Sequence, residues 1–351
     1  DYQAIFTEGR AEFRRRDAGI DTHTEIAVSP EDAIELRRLR IKNTTRRVRT
    51  IEVTSYCEIV LMTPAADVQH PAFGKLFVQT EIVDGLPALL ANRRPRAEKD
   101  PSPWMFHLMA VHAPRGMDNV SPVTHETDRA RFIGRGGTLR APAAMFGGDA
   151  LSDTQGSVLD PVAASRCAVT LQPDQTVIVD LVNGVGDQRA DCLALIEKYR
   201  DRRLAERVFE LAWTHSQVLL RQLNASEADA QMYARLAGAV LFSQGALRAD
   251  PSIIKQNRRG QSGLWGYAIS GDLPIVLVQV SDVANLELVR QLVMAHAWWR
   301  LKGLAVDLVI WNEERDIYRQ RLNEQIMGLI AAGVEAHVVD RPGGIFVRHA
   351  D

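Results

Sequence analysis

The chain has 351 residues and a mass of 39.0 kDa, with 46% hydrophobic and 25% charged residues, the make-up of a globular protein with a sizeable core. That length exceeds what one core usually serves and suits two structural units. The 42 lysines and arginines against 44 acidic residues leave a net charge of −2, which removes any general electrostatic reason to bind nucleic acid or an anionic membrane.

Three scattered cysteines, Cys57, Cys167 and Cys192, provide neither a disulfide framework nor a zinc cage and suit a reducing compartment. The runs Arg14-Arg15-Arg16 and Arg93-Arg94 read as solvated faces. No stretch reaches the roughly 18 to 20 apolar residues of a membrane span, and the first residues are too charged for a signal peptide. Because the sequence starts at Asp1 and stops after the strand-like GIFVRHAD, both ends are expected to be cuts in a longer polypeptide.

From the N-terminus the pattern is β. In TEIAVSPEDAIELRRLRIKNTTRRVRTIEV, Ile26 and Val28 precede a Ser29-Pro30 break, and Ile34 and Leu36 then alternate. The Arg37-Arg38 doublet shifts the alternation to Leu39 and Ile41, which predicts a β-bulge. Asn43-Thr44-Thr45 supplies turn chemistry before IEVTSYCEIVL, whose period of two marks a strand with one buried face. Further strands are predicted over 75–83, 104–111, 167–171 and 176–182. So many strands without helical periodicity predict a large antiparallel β-sandwich over residues 1–186.

At Asp187 the period changes to 3.6, predicting linker helices over 188–222 and 226–246, the second capped by Ser226, with Met232, Leu236 and Val240 facing the core. Beyond residue 247 come PIVLVQV (274–280), a helix over 282–302, AVDLVIW (305–311), a helix over 314–332 and VEAHVVD (334–340). That order suggests a parallel β-α-β-α-β sheet, although short apolar runs fit buried helix segments as well.

Nucleotide, metal and serine-nucleophile chemistry find no support. GQSGLWG (260–266) is not G-x-G-x-x-G and no strand precedes it, and FIGRGGTL (132–139) lacks the Lys-Ser/Thr pair of a phosphate loop. The nine histidines form no zinc motif, so His296 reads as a satisfied core histidine, and no Gly-x-Ser-x-Gly elbow occurs. Trp265, Tyr267, Trp298, Trp299 and Trp311 lie near Asp272, Asp307, Glu313 and Glu314 in the sequence. Aromatic faces under sugar C–H groups and carboxylates on hydroxyls make a carbohydrate site, each charge-assisted bond contributing roughly 1.5–3 kcal/mol. The alternative is that the tryptophans fill a helical core.

LWGYAISGDLPIVLVQV (264–280), LVRQLVMAHAWWRLKGLAVDLVIWNEE (288–314), IELRRLRIKNTTRRVRTIEVTSYCEIVL (34–61) and RARFIGRGGTLRAP (129–142) resemble the bacterial cyclic β-1,2-glucan synthases. The likeness is to their region related to glycoside hydrolase family 94, the cellobiose and chitobiose phosphorylases once called glycosyltransferase family 36, and it runs over nearly the whole chain. It implies an α+β multidomain fold: a β-sandwich (supersandwich) over 1–186, linker helices over 187–246, and over 247–351 the incomplete start of an (α/α)6-type barrel, with residues 274–340 as barrel helices and rim pieces rather than a parallel sheet.

The family's chemistry is inverting phosphorolysis of a β-glucoside, in which an aspartic acid protonates the leaving oxygen while phosphate attacks from the opposite face. The resemblance matches Asp272 to a position that hydrogen-bonds the non-reducing sugar, with Trp265 and Tyr267 beside it and Arg258 or Arg259, near Lys255, as the cation holding that sugar. It implies no cofactor and no metal, with inorganic phosphate as a co-substrate of the parent protein. The family's general acid lies far beyond Asp272 whereas this chain ends 79 residues after it, so no catalytic residue is expected here. Expected partners are a β-linked glucan or glucose and the remaining domains of a bacterial inner-membrane parent, of which this would be a cytoplasmic region. A purely structural or carbohydrate-binding module is the alternative.

Overall fold

A computed structural model describes the chain apart from residues 96, 98, 99, 114–119, 149, 243, 315–320, 334 and 351. The chain falls into two compact units, Asp1–His215 and Ser216–Asp351.

The strands of the first unit, among the described residues, are β1 (Tyr2–Phe6), β2 (Ala11–Asp17), β3 (Ile20–Val28), β4 (Ile34–Asn43), β5 (Arg49–Glu58), β6 (Val78–Ile82), β7 (Ala88–Arg93), β8 (Trp104–His112), β9 (Thr124–Asp128), β10 (Gly156–Ser157), β11 (Pro161–Leu171) and β12 (Thr176–Gly186). A nine-stranded antiparallel sheet runs β1-β2-β3-β4-β12-β8-β7-β6-β10, and a smaller one runs β5-β11-β9. Ile41, Met109, Val177 and Val179 of the large sheet meet Val53, Cys167, Val169 and Leu171 of the small one in a common core. This is a sandwich interior, with alternate positions of each strand turned inward.

The opposite face of the large sheet is covered, over part of its area, by helix Arg189–Tyr199 and the N-terminal part of helix Arg202–Gln222. Cys192, Ile196, Tyr199, Ala205 and Val208 pack there on Ile34, Leu36, Phe106, Leu108 and Val182. This two-sided burial explains the register of β4. No bulge occurs at Arg37-Arg38: β4 pairs without interruption from Ile34 to Lys42 with β12 and from Glu35 to Asn43 with β3. The apparent shift arises because Ile34 and Leu36 point to the helices while Ile41 points to the small sheet. Arg38 is itself an inward position on the helix side, 1% exposed.

In the second unit, helix Glu227–Leu241 begins at Ser226 with a reciprocal capping box to Asp229, as the sequence indicates. Its buried face centres on Ala230 and Tyr233, with Leu236 and Val240 alongside; Met232 is exposed, one position off that stripe. No helix among the described residues is long and apolar enough to cross a membrane.

Strands β13 (Ile275–Val280), β14 (Asp307–Asn312) and β15 (Ile345–His349) then form a parallel sheet in the order β13-β14-β15. Helices Leu286–Leu301 and Arg321–Ala331 connect them and bury Val289, Val293, Leu322 and Ile326 against Val278, Leu308, Ile310 and Ile345. The α+β make-up stands, but residues 275–349 take the β-α-β-α-β arrangement in place of the barrel helices and rim pieces that the resemblance implied. The physical reason is local: IVLVQV is rich in β-branched residues, which crowd a helix and fit a strand, here an edge strand with Val278 and Val280 buried. The third strand is IFVRH, since Ala336–Val338 form a single 3-10 turn.

Candidate functional site

The segment that carries the sequence-derived site residues leads into β13. Helix Pro251–Gln256 starts at Asp250, whose carboxylate accepts from Ser252 N at 2.8 Å. The chain then runs exposed through Arg258 and Arg259 to a 3-10 helix, Gln261–Tyr267. Ala268, at φ +59°, ends that helix, and Leu264 and Ile269 seat the segment on Val309 and Phe346 of the parallel sheet.

One side chain closes the loop. Gln261 Nε2 donates both to Ser270 O and to Asp272 Oδ1, each at 2.8 Å. Gly271 must be glycine: its φ is +77°, and a Cβ there would stand 2.9 Å from Gln261 Cγ and 3.0 Å from Leu264 Cδ1. Asp272 is exposed, and its Oδ2 has no hydrogen-bond partner among the described residues. Nothing in the sequence marks Gln261, which lies 11 residues before the carboxylate it holds.

Trp265 is 65% exposed, whereas Tyr267 is pinned, its ring edge-on to Trp311 at 5.9 Å and its carbonyl accepting from Arg348 Nε at 2.8 Å. Lys255, Arg258 and Arg259 are exposed and pair with no acid among the described residues. The structure therefore brings Asp272 to Gln261 and fixes Trp265 and Tyr267 on the same short segment, but it draws neither arginine onto Asp272.

The other aromatic and acidic candidates divide differently. Trp298 and Trp299 are core: Trp299 Nε1 donates to Tyr233 O at 2.8 Å and the Trp298 ring lies 6.3 Å from that of Tyr233. Asp307 is fully buried and accepts from Gly343 N at 2.7 Å. His296 is buried, with Nδ1 on Glu335 Oε2 at 2.7 Å and Nε2 on Val306 O at 2.9 Å. A carbonyl and a carboxylate thus face the two ring nitrogens, so the ring is a satisfied core histidine, as the sequence implied. Arg300 completes the cluster at 2.9 Å from Glu335 Oε1.

One arrangement that the sequence did not show has the form of a nucleophile triad. His107 Nε2 lies 2.7 Å from Ser55 Oγ, and its Nδ1 lies 2.7 Å from Asn183 Oδ1. It cannot act as one, because Ser55 and His107 are sealed between the two sheets at 7% and 2% exposure. The chain continues from Ser55 Oγ to the carbonyl of Ser165, whose own hydroxyl meets His125 Nδ1 at 2.9 Å. Burial holds the His107 imidazole below its ordinary pKa and takes His125 down to about 4, against the pull of Asp153. These are neutral groups satisfying one another inside a core.

Residues 1–202 match the model of the glycosyl hydrolase 94 supersandwich domain. The chain belongs to that family. It is also 33% identical, over 324 residues and 92% of its length, to the cyclic beta-(1,2)-glucan synthase NdvB of Rhizobium meliloti (strain 1021), of whose length it spans 11%. Solved structures are more remote. A protein assigned as a kojibiose phosphorylase from the human microbiome shares 7% identity, over 58% of this chain and 22% of that one, at a TM-score of 0.31. The galactosidase domain of the alpha-galactosidase-sucrose kinase AgaSK shares 9% over 95% of this chain and 50% of that one, at 0.26. The two-sheet sandwich lies within the residues that match the supersandwich model.

Proposed function

We propose that this chain is a glucan-holding, noncatalytic part of a larger β-1,2-glucan synthase polypeptide, with the 258–272 segment as its sugar contact. The observation that carries this reading is Trp265: a large indole, 65% exposed, on a segment otherwise anchored to a sheet. An exposed aromatic face held rigidly binds a sugar ring at little entropic cost. On the same segment Asp272 keeps one carboxylate oxygen open for a sugar hydroxyl, and Arg258 and Arg259 keep unspent donors. The similarity to NdvB supports a β-1,2-glucan as the ligand and the remaining domains of the parent as partners. Three unpaired thiols, Cys57, Cys167 and Cys192, support a cytoplasmic setting.

The reading predicts calorimetric binding of β-1,2-linked gluco-oligosaccharides that Trp265→Ala and Asp272→Ala each weaken about tenfold, or roughly 1.4 kcal/mol. Unchanged affinity in both variants would refute the site. Release of glucose 1-phosphate on incubation with glucan and phosphate would refute the noncatalytic assignment.

A further inference from the structure

A cleft lies in the sandwich, independent of the 258–272 segment. About 540 Å³ of space opens over the ends of β1 to β4, lined among others by Arg14, Asp21, His23, Arg40, Lys42 and Thr176. The register explains the gathering. Arg14 faces His23 across β2 and β3, and His23 faces Arg40 across β3 and β4; Asp21 likewise stands between Arg16 and Lys42. This is the same sheet face that carries Ile34 and Leu36 under the helices, but here the positions are charged.

Which ligand fits depends on the hydrogen-bonding capacity left over. Beneath the cleft the carboxylates are occupied. Glu12, 5% exposed, takes Arg10 Nε on one oxygen at 2.8 Å and both His23 Nε2 at 2.9 Å and Arg14 Nη2 at 3.1 Å on the other. Both Asp21 oxygens accept from Arg16 at 2.6 Å. Glu25 takes Arg10 on Oε1 at 3.0 Å, while Arg40 Nη1 lies 2.7 Å from Oε2 without an aligned hydrogen bond. Donors remain in surplus: Arg40 has no hydrogen-bond acceptor among the described residues, Arg14 donates only to Glu12, and Lys42 Nζ is 3.6 Å from Asp174. A divalent cation is disfavoured even though Glu12, His23 and Glu25 bring ligand atoms within 4.8 Å of one another, because the guanidiniums already hold those carboxylates.

We propose that this cleft binds a tetrahedral oxyanion, either free phosphate or a phosphate monoester of a sugar, through Arg14, Arg40 and Lys42. Its oxygens supply the acceptors and the negative charge that the face lacks, and arginine forks match that geometry. The cleft exceeds what bare phosphate fills and lies within the range of small-molecule sites.

The test is calorimetric titration of the 351-residue chain with glucose 6-phosphate, inorganic phosphate and glucose at low and high salt. Both phosphates are expected to bind, more weakly as salt rises, and glucose alone is not expected to bind here. Tighter binding of the ester identifies a sugar phosphate as the ligand, and equal binding identifies the free ion. Arg40→Gln and Lys42→Ala should each reduce the affinity about tenfold while Asp272→Ala leaves it unchanged. Lys42 is half exposed and its ion pair with the exposed Asp174 is long, at 3.6 Å, so its variant reports binding even if Arg40→Gln disturbs Glu25. Equal binding of glucose and glucose 6-phosphate, an unaltered affinity in Lys42→Ala, or loss of phosphate binding in Asp272→Ala would overturn the proposal.

Discussion

Arg38 and Asp180 stand directly opposite each other on β4 and β12, joined by Nε–Oδ1 and Nη2–Oδ2 contacts of 2.8 and 2.9 Å, with both side chains essentially buried. Burial works against the Asp180 charge, but hydrogen bonds from Arg38 and from His112 Nε2, at 3.0 Å, hold its carboxyl below the ordinary range. Asp180→Asn leaves the Arg38 guanidinium buried without its counter-charge and is expected to cost about 3–5 kcal/mol in urea unfolding. The double replacement Arg38→Met with Asp180→Leu removes both charges and should cost less than the single one; a larger cost would show that the pair is net stabilising.

Protonation gives two distinct acid effects. A depressed folded-state carboxyl contributes stability above the unfolded pKa near 4 and loses it as pH falls through the lower folded value, so Asp180 acts below about pH 4. His125 acts earlier. With its folded pKa at about 4, the unfolded state binds more protons between roughly pH 6.5 and 4, and stability should fall by up to about 3 kcal/mol across that window. His125→Gln should flatten the slope of unfolding free energy between pH 4.5 and 6.5; an unaltered slope would show that the histidine is not the responsible group.

Among the elements, β12 shows how tightly the helix side of the large sheet is packed. At Gly184, a Cβ would stand 2.3 Å from the Phe106 ring and 2.7 Å from Ile34 Cγ2. Gly184→Ala is therefore expected to cost about 1–3 kcal/mol by overpacking, visible as a fall of several degrees in Tm. An unchanged Tm would mean that the Phe106 ring can move aside freely. Both crossover helices of the parallel unit cover one sheet face, and the Leu264–Ile269 segment reaches Val309 and Phe346 on the other. That placement keeps Trp265 at the surface: the apolar residues on either side of it are the anchors, and the indole between them is not.

For the molecule as a whole, the sequence determined what depends on near neighbours. Period-two alternation and apolar runs located β3, β4, β5, β6, β8, β11 and β12 but not β1, β2, β7, β9 or β10; the change at Asp187 located the helices, and Ser226 with Asp229 set a helix start, because these signals are local geometry and capping chemistry. The runs at 274–280 and 305–311 likewise located the first two strands of the parallel unit, while the third lies at Ile345–His349 and not at 334–340, and the family resemblance pointed away from a parallel sheet. Tertiary structure alone decided what depends on distant partners. Arg38 reads as a charged interruption until Asp180, 142 residues away, is placed opposite it. Trp298 and Trp299 are core while Trp265 is surface, though all are equally apolar in the sequence. Asp272 has its geometry from Gln261, and the charged cleft exists only because four strands pair in register. Hydrophobic period is carried by the chain itself, whereas desolvation and charge pairing are set by whichever residues the fold brings alongside.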